Sequence, residues 1–117
     1  EAPAVRFAEE IDLELMAFVQ RYAATWVKCS IVSLFGKEPF LQVCPEEVAR
    51  RLKRNPRLIV PELNDLALLG LLDRARTARG IVFQLTRESA TRELASRFSA
   101  QAALQAVRPL RQAGAVR

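Results

Sequence analysis

"RNPRLIVPELNDLALLGLL", Arg54 to Leu72, is the stretch on which the reading of the fold turns. Asn55 is a good helix cap, and Pro56 fits a first helical position, where a missing N–H costs nothing. Ile59, Leu63, Leu66 and Ala67 then recur at helical spacing and form one apolar face. Gly70 suits the left-handed residue that ends a helix. The same stretch raises a difficulty. Its outward positions are Arg57, Val60, Pro61, Asn64 and Leu68, with Glu62 and Asp65 flanking, so three of the five outward positions are apolar. Pro61 removes a backbone hydrogen bond and crowds the carbonyl four residues before it. Two readings stay open: a regular helix that begins only around Pro61, or a longer helix with a kink there.

Upstream, "CPEEVARRLKR" reads as a helix with Pro45 at its first position and Glu46 and Glu47 in the first turn, where the helix dipole favours carboxylates. Val48, Ala49 and Leu52 form its inner face and leave Arg50, Arg51, Lys53 and Arg54 outside. "GKEP" breaks the preceding helix, and "FLQV" suits a short strand or extended link. Downstream, "LLDRA", "RTARG" and "IVFQL" give a strand, an arginine-rich turn and a second strand. Alternation sets Ile81, Phe83 and Leu85 on one face and Val82 and Gln84 on the other.

The amino-terminal part has helical spacing through Leu15, Phe18, Val19, Tyr22 and Trp26, with Asp12 as a candidate cap. No glycine or proline intervenes before Gly36, so one long helix is expected, with a kink near Ala23 to Thr25 as the alternative. Between Trp26 and Phe35 apolar groups point in every direction, which calls for cover on all sides. That half is expected to be a central core helix, while the first half extends away toward a partner such as a second copy of the chain. Tyr22 and Trp26 share a helix face in this reading. From Glu88 onward a further helix places Leu94, Phe98, Ala102 and Leu104 or Val107 on a narrow stripe, until Pro109 and Gly114 punctuate it. Such a helix is marginal alone and must dock.

Length and composition bound the rest. A chain of 117 residues, half apolar and a quarter charged, fits one soluble globular domain. No apolar run approaches a membrane span, and no basic segment followed by an apolar one marks a secretory leader, so a cytosolic address is expected. Cys29 and Cys44 are isolated and read as buried thiols rather than a disulfide or metal site. No histidine is present, which removes the commonest general base and metal ligand. Glu46 and Glu47 are adjacent and diverge by about 100° on a helix, which is poor geometry for paired acid and base work. With no glycine-rich phosphate loop, nucleophile elbow or metal cluster, no enzyme activity, catalytic residue, metal or cofactor is expected. The formal charge is +5, from fifteen arginines and three lysines against thirteen carboxylates. Arginine's fork matches phosphate oxygens, although arginine-rich codon usage produces the same excess without any partner.

The order helix, short strand, helix, tight turn, helix, two-stranded hairpin resembles the winged helix-turn-helix family. The residues that carry the resemblance are "VCPEEVARRLKRNPRLIVPELNDLALLGLLDRARTARGIVFQLT", Val43 to Thr86, above all "LNDLALLGLLDR", where Leu63, Leu66, Gly70, Leu71 and Leu72 fall at the family's spacing. The resemblance implies a mostly α fold with a small β-hairpin (α+β), here with a long amino-terminal helix and a carboxy-terminal helix. Residues 1–117 then form a single winged-helix domain: a helical extension over 1–25, the winged-helix core over 26–86, and a helix and tail over 87–117.

In that family the third helix enters the major groove, the second crosses the phosphate backbone and the wing touches phosphates or the minor groove. Carried onto this sequence, Arg50, Arg51, Arg54, Arg74, Arg76 and Arg79 are candidate phosphate contacts, and Arg57 and Asn64 candidate base contacts. Each arginine cluster also reads as an ordinary solvated face. The implied function is double-stranded DNA binding by a small, dimeric transcriptional regulator whose contacts are mostly phosphate-directed. The alternative is a winged-helix protein–protein interaction module, with Val60, Pro61 and Leu68 as its apolar docking patch. A homodimer through the amino-terminal and carboxy-terminal helices, and no membrane partner, complete the expectation.

Overall fold

A computed structural model describes the backbone of residues 13–116 and the side chains of residues 13–102. Five helices and one hairpin follow in order: α1 (13–22), α2 (Trp26–Lys37), α3 (Pro45–Leu52), α4 (Pro56–Leu69), β1 (Leu72–Thr77), β2 (Gly80–Leu85) and α5 (Ser89–Val116). The candidate cap Asp12 lies outside the described residues.

The amino-terminal helix is two helices, not one. Its break falls at Ala23 to Thr25, the position left open by the sequence, and the cause is a cap: the Thr25 hydroxyl accepts from the Lys28 N–H at 3.1 Å, with Thr25 extended at φ −113° and ψ 161°. A threonine that satisfies an orphan N–H of a new helix competes with continuation of the old one. Tyr22 and Trp26 therefore do not share a face. Tyr22 packs against the core, whereas Trp26 is 73% exposed. The expected cover of α2 on all sides is also incomplete, since Ile31, Val32 and Phe35 are fully buried while Trp26 is open to solvent. Nor does α1 simply extend away. Phe18 is buried and meets Phe98 of α5 edge-on, with ring centroids 6.0 Å apart.

The centre of the molecule follows the sequence closely. Pro45 opens α3 with Glu46 and Glu47 in its first turn. The Asn55 side chain accepts from the Arg57 N–H at 2.9 Å and opens α4, and Gly70 closes it at φ 94°. Ile59, Leu63 and Leu66 are fully buried, whereas Ala67 is only partly so. Burial of each of these three large side chains is worth roughly 1.5–3 kcal/mol. Pro61 lies inside a continuous α4, so the reading in which the regular helix begins at Pro61 is set aside.

The hairpin pairs Leu72 with Leu85 through to Thr77 with Gly80, and Phe83 and Leu85 are buried as the alternation requires. Val43 adds a single antiparallel bridge to Phe83, so "FLQV" is an extended link that touches the sheet at one residue. The carboxy-terminal helix α5 runs past Pro109 and Gly114, where the sequence suggested punctuation. Its line of closest contact is also shifted by one residue from the expected stripe. Ala95 and Ser99 are buried, while Leu94 and Phe98 are partly so. The reason is Gly36 of α2: a Cβ there would overlap the Ala95 carbonyl, so the two helices cross on small residues. The Ser99 hydroxyl donates to the Ser33 carbonyl at 2.8 Å across this crossing. The candidates Leu104 and Val107 lie outside the residues whose side chains are described.

Candidate nucleic-acid interface

With Ile59, Leu63 and Leu66 in the core, α4 turns the opposite face outward. Arg57 and Pro61 are exposed, Leu68 is 86% exposed, and Val60 and Asn64 are half-buried on its flank. Leu58, which the sequence reading did not single out, is exposed as well. The outer surface of α4 is thus an apolar ridge with Arg57 near its amino-terminal end. Arg57 makes no ion pair among the described residues.

The candidate phosphate contacts fall into two groups that differ in electrostatics. On the hairpin, Arg74 and Arg76 are exposed on β1 two residues apart, on one face, and Arg79 is exposed in the turn. That turn is closed by the Thr77 hydroxyl, which donates to the Gly80 carbonyl at 2.9 Å and accepts from the Arg79 N–H at 3.2 Å; Gly80 takes φ 108°. These three arginines have no carboxylate partner among the described residues, so they present unscreened charge.

The second group is on α3 and its exit. Arg50 donates to Glu47, with Nε–Oε1 at 3.0 Å and a second contact between its Nη2 and the other carboxylate oxygen. Arg51 donates to the same carboxylate at 2.9 Å and lies 3.2 Å from Glu38. Arg50 and then Arg51 hold the Glu47 carboxyl below the usual carboxylate range, and Glu47 in turn raises both guanidinium groups. Either arginine must therefore share or exchange a carboxylate to meet a phosphate. Arg54 is half-buried with its guanidinium 5.9 Å from the centre of the Trp26 ring, a stacking worth about 0.5–1 kcal/mol at an exposed site that leaves the N–H groups available at the guanidinium edge.

One group that the sequence reading passed over is central to the electrostatics of α4. Lys28 interrupts the apolar run of α2, and its side chain is only 10% exposed. Its ammonium contacts Glu62 Oε1 at 2.7 Å and Asp65 Oδ2 at 2.7 Å, both on α4. Hydrogen bonds donated by the ammonium to Asp65 and then Glu62 raise the Lys28 pKa above its ordinary value against the opposing effect of burial. The only sequence signal was a lysine within the apolar-rich first half of α2, which demands a partner that local spacing does not identify.

Cys29 and Cys44 are half-buried free thiols. The Cys29 thiol donates to the Ala23 carbonyl at 3.2 Å, and burial pushes its pKa up, away from the reactive thiolate. No group of three or more histidine, cysteine or carboxylate side chains suited to a metal occurs among the described residues. No described helix is long and apolar enough to cross a membrane. A mostly apolar groove of about 970 Å³ runs between α2 and α5, lined in part by Trp26, Ser30, Ser33, Leu34 and Phe98.

No family model and no curated protein matches the sequence. Solved structures match it in fold. A mutant ZitR of Lactococcus lactis in apo form aligns with a TM-score of 0.54 at 19% identity, over 94% of this chain and 80% of that one. YusO of Bacillus subtilis aligns at 0.56 and 15% identity, over 98% and 86%. MepR of S. aureus, in its complex with DNA, aligns at 0.56 and 13% identity, over the full length of both chains. The fold is a winged helix-turn-helix, mostly helical with a two-stranded antiparallel hairpin as its wing.

Proposed function

We propose that this chain binds double-stranded DNA as a small dimeric transcriptional regulator, with most of its affinity directed at phosphates. The observation that carries the reading is the hairpin, where Arg74 and Arg76 on β1 and Arg79 in the turn are exposed without carboxylate partners among the described residues. The match in fold to MepR, a protein solved bound to DNA, supports the same reading. Arg54 adds a fourth cation, while Arg50 and Arg51 add theirs when they exchange Glu47 for phosphate. Arg57, and Asn64 on the flank of α4, supply the base contacts through bidentate hydrogen bonds to guanine and adenine. The apolar ridge of Val60, Pro61 and Leu68 limits base reading to thymine methyl contact at those positions.

Dimerisation is assigned to α1 and α5. Leu13 and Met16 are exposed on α1, and α1 meets α5 through Phe18 and Phe98.

A second reading is favoured by the ridge itself, since Leu68 is 86% exposed: the same face docks a protein. An anisotropy titration with random-sequence duplex at 50 and 200 mM salt separates the two. Salt-sensitive binding supports the DNA reading. Undetectable binding at 50 mM removes it and leaves the docking module, for which Val60→Ser/Leu68→Ser is expected to abolish partner binding with folding intact.

A further inference from the structure

We propose that Lys28 is a positioning residue for DNA binding: it holds α4 against α2 and screens two carboxylates that would otherwise repel the phosphates flanking the groove. This inference rests on the DNA-binding reading above. Its basis is geometric. Glu62 and Asp65 are both on the helix assigned to the groove, and Asp65, with a side chain 51% exposed, adjoins the exposed ridge residues Pro61 and Leu68 at its i−4 and i+3 positions. Left alone, these carboxylates oppose the arginines on either side. The Lys28 ammonium, 2.7 Å from both, leaves one net negative charge where there would be two. It reaches them from α2, so the same contact ties α4 to α2.

A scaffold role and a screening role predict opposite signs. Glu62→Gln/Asp65→Asn keeps oxygen acceptors for Lys28 while it removes both negative charges. If screening operates, this variant binds duplex DNA more tightly than the wild type. Lys28→Met exposes the full repulsion and binds more weakly. With charges within a Debye length of phosphates, each change is expected to be about threefold to tenfold at 50 mM salt and to shrink toward equality at higher salt. A purely structural contact predicts that both variants bind more weakly, by a factor that salt does not change.

The test is an anisotropy titration of the full chain against a labelled random-sequence duplex at 50 and 200 mM salt. Thermal unfolding of each variant runs in parallel. Tighter binding by Glu62→Gln/Asp65→Asn together with weaker binding by Lys28→Met, both effects reduced at 200 mM, supports the inference. Weaker or unchanged binding by Glu62→Gln/Asp65→Asn, when the wild type binds, overturns it and leaves the DNA reading in place. Absence of wild-type binding at 50 mM overturns both. If Lys28→Met fails to fold, Lys28→Gln takes its place, because it keeps a hydrogen-bond donor for the two carboxylates while removing the charge: weaker, salt-sensitive binding supports the inference and unchanged binding overturns it.

Discussion

Pro61 sits six residues into α4 with its ring exposed. The helix forgoes one hydrogen bond there, to the Arg57 carbonyl, at a cost that approaches 3 kcal/mol in an ordinary helix interior. The Asn55 cap and the three buried anchors Ile59, Leu63 and Leu66 hold the helix together across that gap. Pro61→Ala restores the bond and gives back some chain entropy to the unfolded state, so a net gain of about 1–2 kcal/mol is expected. Thermal denaturation should register it as a rise of several degrees in Tm. Because proline offers no hydrogen bond to a base, affinity for random duplex should stay within about twofold. Arg57 is the converse case. Its guanidinium makes no ion pair among the described residues, so Arg57→Ala should leave stability unchanged and reduce the preference for a selected site over random duplex about tenfold, in line with about 1–3 kcal/mol for a bidentate base contact. A preference that is unaltered in competition titrations would remove Arg57 from the base contacts.

The elements differ in how far local chemistry specifies them. The turn into α4, the start of α3 and the hairpin were legible in the sequence because Asn55, Pro56, Gly70 and Pro45 each act on their own neighbours. The separation of α1 from α2 was less so. Ala23 and Ala24 favour helix, and the signal was a single threonine whose hydroxyl serves the following helix. The α2–α5 crossing could not be read, since Gly36 had a local explanation as a helix breaker and its partner is Ala95, far along the chain. At the candidate interface, the arginines of β1 and the turn were placed by sequence; the pairing of Arg50 and Arg51 with Glu47, three and four residues before them on α3, is a local consequence of helical spacing, whereas that of Lys28 with Glu62 and Asp65 emerged only with the packing. The crossing itself is open to test. Gly36→Ala places a methyl group against backbone, which cannot rotate away, so the helices must separate. A loss of about 1–3 kcal/mol is expected from such overpacking, read by chemical denaturation. Unchanged stability would mean that α5 is not seated on α2 as described.

At the level of the whole molecule, exposed apolar side chains lie on α1 as well as on the α4 ridge between the arginine groups. The wing and the exit of α3 carry the candidate phosphate-binding arginines, and α1 carries exposed Leu13 and Met16. The exposed pair on α1 is the surface to which the proposed dimer is assigned. Leu13→Glu/Met16→Glu puts like charges on that face, so sedimentation in the micromolar range should give a dimer for the wild type and a monomer for the variant. A wild type that is monomeric throughout would take the assigned role from α1. Duplex binding reports on the assembly as a whole. Counting Arg54, Arg74, Arg76 and Arg79 alone, affinity per chain should fall about a hundredfold between 50 and 200 mM salt, and about a thousandfold if Arg50 and Arg51 also release Glu47. The direct measurement is the slope of log affinity against log salt for the wild type and for Arg74→Ala/Arg76→Ala/Arg79→Ala. The account predicts a steep wild-type slope that loses about three units of magnitude per chain in the variant. A wild type that does not bind duplex at low salt, or a slope that the three wing substitutions leave unchanged, would contradict it.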